Sequence, residues 1–440
     1  MAHTQTRSRS HRKRLPPRTK YLLRADFSAD DQGYANTQTL DTREEGVEVG
    51  SLLIGETDGT IALASEKLSL TASAGGGWDK LGFVSNGMAR RTGRTWFYTT
   101  NFADDANAAL LGFADAGTFT QADLVGWLYF AANDNIYWQT DAGSGSEYKQ
   151  LETYSGTTEY QVALCMGGYD GAQVPYTPKA KPYDLSVAKA SYTYGCTAFI
   201  KGGAFTDWTM LWRSFNNNAG ALYVERQDDK LAGTMDNIRV PDVNLSEVLT
   251  PVAFSAFYAS NGTSLDAYQP DEGNVWVEQS GDWDIQTQRA NPDGAGIATV
   301  ETPYSDVMVL CIVNGGTGDQ PAIVLRFSDT SNYWYVQADR ANNQFELHEY
   351  NATVDTVRAN AGVTINNSTD YDLQVSANGQ TITGHLDNAV GSRVSYASAA
   401  LNETEKLHGI RAENTAGQFD NFHVHAKSGK PYQIFDKVYP

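Results

Sequence analysis

The sequence predicts an all-β protein of two tandem β-sandwich domains behind a basic, extended N-terminal arm, and three observations lead there. Forty glycines stand against thirteen prolines, with Tyr, Trp, Thr and Val plentiful, a composition that favours strands. Short runs of alternating apolar and polar residues recur between Gly, Asn, Asp and Ser clusters, while helical periodicity is scarce. One phrase occurs twice, 184 residues apart: Ala232-Gly233-Thr234-Met235-Asp236-Asn237-Ile238-Arg239-Val240 returns as Ala416-Gly417-Gln418-Phe419-Asp420-Asn421-Phe422-His423-Val424. A length of 440 residues accommodates two to three domains, so a repeat at this distance reads as a domain duplication.

The arm comes first, over residues 1–20. The first twenty-four residues hold eight Lys or Arg and no acid, leaving 25 basic against 52 acidic residues in the remainder. Arg7, Arg9, Arg12, Lys13, Arg14, Arg18 and Lys20 carry the charge, around Pro16-Pro17. Such an arm is disordered, touches nucleic acid, or docks on an acidic protein surface. Docking is the favoured reading. The acidic body itself repels nucleic acid and resists aggregation.

The first domain spans 21–245 and the second 250–426. Each opens on an apolar segment, Tyr21–Phe27 or Pro251–Phe257, and closes on the repeated phrase. Between these marks, Tyr160–Leu164, Tyr333–Val336, Phe345–His348 and Tyr371–Val375 read as strands, and Ser376-Ala377-Asn378-Gly379-Gln380 as a hairpin turn. In the repeat, Ile238 and Val240, like Phe422 and Val424, place apolar residues on one face of a strand. The Asp-Asn pair before them bonds to nearby backbone and shapes its entry. Pro241 and Pro251 flank the linker, because proline opposes a continuous strand. The tail, 427–440, ends in Tyr432, Ile434, Phe435, Val438 and Tyr439, and is expected to pack on its own domain or on a neighbouring subunit.

Several chemistries are excluded or weakened by the sequence. No apolar run approaches the ~20 residues that span a membrane, and the arm lacks the apolar core of a signal peptide. Cys165, Cys196 and Cys311 have no metal or disulfide spacing and sit in apolar surroundings, as buried small hydrophobes do. His423 and His425 share a strand face at a spacing that can bind a metal, but without a third ligand no metal site is expected.

The second domain resembles concanavalin A-like, laminin-G-type jelly-roll modules through Gly273–Ile285, Leu325–Trp334 and Phe419–Val424. In the first, Ala198–Trp212 is similar to a segment of tailed-phage virion proteins. The resemblance implies two tandem jelly rolls in a non-enzymatic structural component of a virion, as a tail appendage, fibre or capsid decoration. It would be made in the host cytoplasm, displayed on the particle's outer surface and docked to other virion proteins by its arm. Such appendages imply a homo-oligomer, with a trimer as the analogous state. The alternative is a carbohydrate-binding adhesin for a host surface glycan, with Trp208, Trp212, Tyr333 and Trp334 as the stacking platform. Trp127, Tyr129, Tyr137, Trp138 and Tyr335 are further aromatics of the same kind.

Because this fold also carries glycosidases, a glycanase is a third reading, and it needs paired carboxylates about 5–10 Å apart. No E-x-D-x-x-E or E-x-D-x-E string occurs. Glu278, Asp282 and Asp284 have the wrong spacing, and Glu346 and Glu349 are read as solvated residues on opposite strand faces. Calcium, which this fold sometimes holds, would find oxygens at Asp236, Asn237, Asp420 and Asn421. A structural turn is the favoured reading there, and no cofactor is expected.

Overall fold

The computed structural model describes residues 20–439 except 28–31, 36, 46, 73–77, 79–80, 89–92, 103–107, 121–123, 141–147, 167–195, 215–222, 231, 244, 317 and 387–391. Arg7, Arg9, Arg12, Lys13, Arg14 and Arg18 therefore lie outside the described residues, and Lys20 is exposed. Among the described residues the chain is nearly all strand, in four antiparallel sheets with one short helix at Ile434–Val438. No helix is long and apolar enough to cross a membrane.

The sheets pair into two sandwiches of one topology. In the first domain a ten-stranded sheet runs in the order Phe205–Arg213, Cys196–Gly202, Tyr160–Met166, Thr95–Phe102, Ala232–Pro241, Lys67–Ala72, Gly59–Ala64, Gln32–Tyr34. The second domain's nine-stranded sheet repeats it with Arg393–Tyr396, Thr381–Leu386, Asp370–Asn378, Val307–Asn314, Gln418–Ala426, Arg289–Pro292, Trp283–Gln286, Thr263–Ser264. The facing sheets agree as well. The eight-stranded one runs Tyr148–Thr153, Asn135–Thr140, Leu124–Phe130, Ala108–Ala114, Tyr223–Lys230, Leu81–Ser85, Leu52–Glu56, and Thr39–Leu40 is added at its end. The seven-stranded one runs Val354–Gly362, Gln344–Asn351, Asn332–Asp339, Ala322–Asp329, Leu407–Ala412, Gly296–Glu301, Trp276–Ser280. The two sandwiches share this fifteen-strand order, the arrangement a duplication would leave.

The repeated phrase lies at the centre of each sandwich and does the same work in both. Asn237 and Asn421 adopt left-handed backbone, φ 51° and 48°, and each strand shifts register there. Each Asn backbone N–H donates to Oδ1 of the preceding Asp, at 2.6 and 2.7 Å, the local bond that makes Asp-Asn suited to a bulge. Both opening strands pair with the phrase-bearing strand, and both openers end in a fully buried phenylalanine at positive φ, Phe27 and Phe257. The predicted hairpin forms between Asn378 and Thr381, with Gly379 at φ 51°.

One contact inside the first sandwich is ionic. Arg226 and Asp228, both fully buried on one strand, form a bidentate pair at 2.7 and 2.8 Å. Arg226 Nη1 then crosses to the opposite sheet and donates to Thr100 Oγ1 at 3.0 Å. Residues at i and i+2 share a strand face, so this pair points wholly into the core.

The tail corrects an expectation: it packs on the first domain of its own chain. Phe435 is fully buried against Phe97, Phe199 and Trp208, at 5.1–5.2 Å between ring centroids. Tyr439 stacks on Phe97 and shares a 2.6 Å hydrogen bond with Thr99. The backbone after the second domain's closing strand bonds to the edge strand Phe205–Arg213, from Met210 N to Lys427 O at 2.8 Å. The apolar terminus is too rich in aromatic surface to stay in water, and the nearest uncovered sheet face belongs to the other sandwich.

The same face holds the domains together. Along Val307–Asn314, Val307, Val309, Cys311 and Val313 enter the second core, whereas Met308 and Leu310 join the first domain's core cluster. A strand whose two faces are both buried shows no polar side, which is why this run reads as uniformly apolar.

Candidate binding face

Trp208, Trp212, Tyr333 and Trp334 do not form a platform, since each is at most 3% exposed. Trp208 is covered by the tail, with its Nε1 donating to Asp436 at 3.0 Å. Trp212 packs edge-on against His385 of the second domain. Trp334 lies in the second core, where its Nε1 donates to Leu401 O, and Tyr333 stacks between Phe327 and Tyr350. The sequence shows which residues are aromatic but not which sheet face is left without a partner.

Besides Tyr258, a cluster of half-buried and exposed aromatics lies on the outer face of the eight-stranded sheet. Cross-strand pairing places Gly55 beside Gly82 and, beyond the strand Tyr223–Lys230, sets Leu110, Tyr129, Tyr137 and Gln150 in one row. The next row holds Gly112, Trp127, Gln139 and Tyr148. Directly opposed residues in an antiparallel sheet share a face, so these side chains stand together. Ring centroids follow one another at 6.0 Å from Trp78 to Tyr129, 5.8 Å to Tyr137 and 5.0 Å to Tyr148. Tyr148, at the end of the ladder, is 36% exposed, and Trp78, Tyr129 and Tyr137 are half-buried. Phe119 lies over Gly55, where an added Cβ would come within 2.1 Å of its ring.

Beside the ladder amide side chains make hydrogen bonds, and the Arg393 guanidinium lies within electrostatic reach of Tyr137. Gln139 accepts from Trp127 Nε1 at 2.8 Å, Asn133 donates to Tyr137 Oη at 3.1 Å, and Gln150 donates to Asn135 at 2.7 Å. Burial, followed by the neighbouring Tyr137 and Tyr129, pushes the Tyr148 phenol up, so it stays a neutral donor. Rings flanked by hydrogen-bonding amides suit a ligand that is apolar on its faces and hydroxylated at its edges.

The corresponding face of the second domain has a different chemistry. There one row crosses all seven strands: Val277, Thr299, Gly409, Val324, Tyr335, His348 and Val357. Arg411, Ala322, Gln337 and Glu346 form the row beside it. His348 is held between two carboxylates, Asp355 at 2.9 Å from Nδ1 and Glu346 at 3.0 Å from Nε2. Tyr335 Oη donates to Asp355 at 2.6 Å while Arg411 lies 4.5 Å over the Tyr335 ring. Burial works against the imidazolium, but the bonds to Asp355 and Glu346 outweigh it and raise the His348 pKa. Asp355 is likewise penalised by burial, yet its bonds to His348 and Tyr335 bring its carboxyl below the usual range. This face is an internally satisfied ionic network. It corrects the reading of Glu346 and Glu349 as solvated, since Glu349 is also buried and pairs with Arg358.

Other sequence candidates have structural roles. Glu278 accepts from Ser264 Oγ, Asp266 N and Trp283 N, clipping the Gly281 turn. Cys165, Cys196 and Cys311 are buried thiols. An open cavity of about 790 Å³ at the far end of the nine-stranded sheet is lined by Arg289, Asn314, Asp370 and Gln418 among others. Arg289 holds Asp370 bidentately at 2.7 and 2.6 Å and keeps its carboxyl low. Burial raises Asp420 to about 6 against the opposing bond from Asn421, yet Asp420 does not line that cavity. Among the described residues no group of metal-ligating side chains is assembled. His423 and His425 do share a face, but it is buried against the first domain.

No protein-family model matches this chain, and no curated protein matches it. Among solved structures, the carbohydrate-binding module CBM66 from Bacillus subtilis is 17% identical, with a TM-score of 0.31 over 35% of this chain and 97% of the module. The GH43 protein BlXynB from Bacillus licheniformis is 11% identical, with a TM-score of 0.32 over 93% of this chain and 99% of that one. Domains LG4-5 of the mouse laminin α1 chain are 9% identical, with a TM-score of 0.23 over 85% and 93%. Likenesses of this size concern the fold alone.

Proposed function

We propose that this protein is a non-catalytic binding protein whose ligand is a neutral glycan, held on the outer face of the eight-stranded sheet. The observation that carries the reading is the Trp78–Tyr129–Tyr137–Tyr148 ladder with its amide neighbours. Sugar rings present apolar C–H faces to aromatic planes and hydroxyls to amides, and a row of rings repeats that contact along a chain. A binding role rather than a hydrolytic one is supported by the state of the carboxylate pair on the second domain's outer face. Glu346 and Asp355 are both engaged by His348, with the imidazole filling the space a scissile bond would need.

Titration calorimetry with cellohexaose, xylohexaose, laminarihexaose and mannohexaose tests the reading. At least one is expected to bind, and Tyr137→Ala is expected to weaken it tenfold or more, about 1.4 kcal/mol. No binding across the panel, or equal binding by Tyr137→Ala and Tyr129→Ala, would remove the ladder from consideration.

A second reading concerns where the binding body is carried. We infer that it is displayed on a tailed-phage virion, anchored by the arm. The supporting observation is the segregation of charge: Arg7, Arg9, Arg12, Lys13, Arg14, Arg18 and Lys20 precede a body with 52 acidic residues. Weak arm contacts add through multivalency when many copies share one particle. Deleting residues 1–20 is expected to abolish incorporation into particles while far-UV circular dichroism stays unchanged. Normal incorporation of the truncated chain would end the anchoring role.

A further inference from the structure

The seam between the sandwiches holds three buried histidines, none of which belongs to either outer face. His423 and His425 alternate with core residues on the second domain's closing strand, and their rings lie 6.1 Å apart. His385 projects from the nearby strand Thr381–Leu386 against Trp212, 5.0 Å away and nearly perpendicular. His423 lies 4.3 Å from Phe254, and all three are at most 5% exposed. We propose that this seam is an acid-operated latch: the sandwiches stay docked while the three imidazoles are neutral, and protonation drives them apart.

The geometry specifies the neutral form. Arg213, fully buried on the first domain's edge strand, approaches His425 Nε2 at 3.0 Å and donates to Leu249 O at 2.9 Å. A guanidinium only donates, so Nε2 must present its lone pair to it. Protonating Nε2 removes that acceptor and sets two cations 3.0 Å apart in a water-poor seam. The same guanidinium holds the interdomain linker through Leu249, so its displacement loosens both connections at once.

The surrounding charges are mostly of one sign. Facing the histidines are Arg213, Lys149, whose Nζ donates to Leu386 O at 2.6 Å, the buried Lys427, and Arg393 on the neighbouring strand. The carboxylates are Glu152, which lines the seam, and Asp306, already paired with Arg326 at 2.8 Å. Tyr432, Tyr304 and Cys165 are further titratable neighbours, and Tyr432 and Cys165 are held neutral by burial. Burial first, and then the cations, push all three imidazoles well below the usual histidine range.

The sign follows from linkage. A histidine exposed by opening titrates near ~6.5, whereas in the closed seam it resists protonation far below that. Closure is therefore undisturbed above ~6.5 and weakens as pH falls, since only the open form takes up protons. Each coupled proton changes the open-to-closed ratio about tenfold per pH unit, so three give up to about a thousandfold.

Small-angle scattering of the full chain from pH 8 to 4.5, with parallel far-UV circular dichroism, tests the latch. The radius of gyration is expected to rise below pH ~6.5 with the β-sheet signal intact and more than one proton coupled. The triple variant His385→Gln, His423→Gln, His425→Gln keeps hydrogen-bonding capacity without titrating, and is expected to stay compact. If that variant does not fold at pH 8, His385→Gln alone is expected to lower the coupled protons by one. His348→Gln serves as a control, because its network lies on the other sheet and is strengthened by acid. A wild-type chain compact to pH 4.5, opening with unchanged midpoint and steepness in the histidine variants, or expansion only with loss of the β-sheet signal would each overturn the latch.

Discussion

Phe435→Ala is expected to destabilise the first sandwich by about 3–5 kcal/mol, although residue 435 follows the second domain in sequence. Its ring is fully enclosed by Phe97, Phe199 and Trp208, so truncation leaves a cavity between a short helix and a sheet that cannot collapse together. For a domain of this size the loss corresponds to a fall in melting temperature of roughly 6–20 °C. Asp436 is the contrasting case. It accepts from Lys201 and Trp208, but its side chain is 46% exposed, so Asp436→Asn is expected to cost about 1 kcal/mol or less. Thermal unfolding of both variants checks the pair, and equal, small shifts would mean that the tail only rests on the first domain.

Asp228→Ala is expected to be equally damaging, by about 3–5 kcal/mol, because it strands Arg226 as an unpaired cation inside the core. The pair itself is not thereby a large net stabiliser. Taking both charges out of water offsets most of their attraction, so the double replacement Arg226→Met, Asp228→Leu is expected to recover most of the loss or exceed wild type. Denaturant titration of the single and double variants separates the two contributions. A double variant as unstable as the single would show instead that the bond from Arg226 to Thr100, which ties one sheet to the other, carries the stability.

Sequence and structure divide the determination of this protein along a physical line. Local patterns were legible in the sequence. Alternation marked the strands and Asn-Gly marked the 378–379 turn, since each depends on bonds and sterics within a few residues. Asp-Asn marked a local backbone bond, which the structure places at a bulge inside each strand rather than at its entry. The duplication was legible too, because two copies of one local device survive in the phrases ending at Val240 and Val424.

What required the tertiary structure was the partner of each face. Trp208 and Trp212 read as well for a platform as Trp127 or Tyr137 did, until the tail covered the first and the second domain the other. His348 drew no notice because its carboxylates approach from its own strand and from the next, a geometry that no spacing rule on one strand displays. His423 and His425 showed their shared face in the sequence, but not that Arg213, 212 residues away from His425, would close over it. Side-chain alternation is a property of a strand, and so the sequence by itself determines which residues share a face. Whether that face meets water, a tail or another sandwich is decided only when the sheets pack.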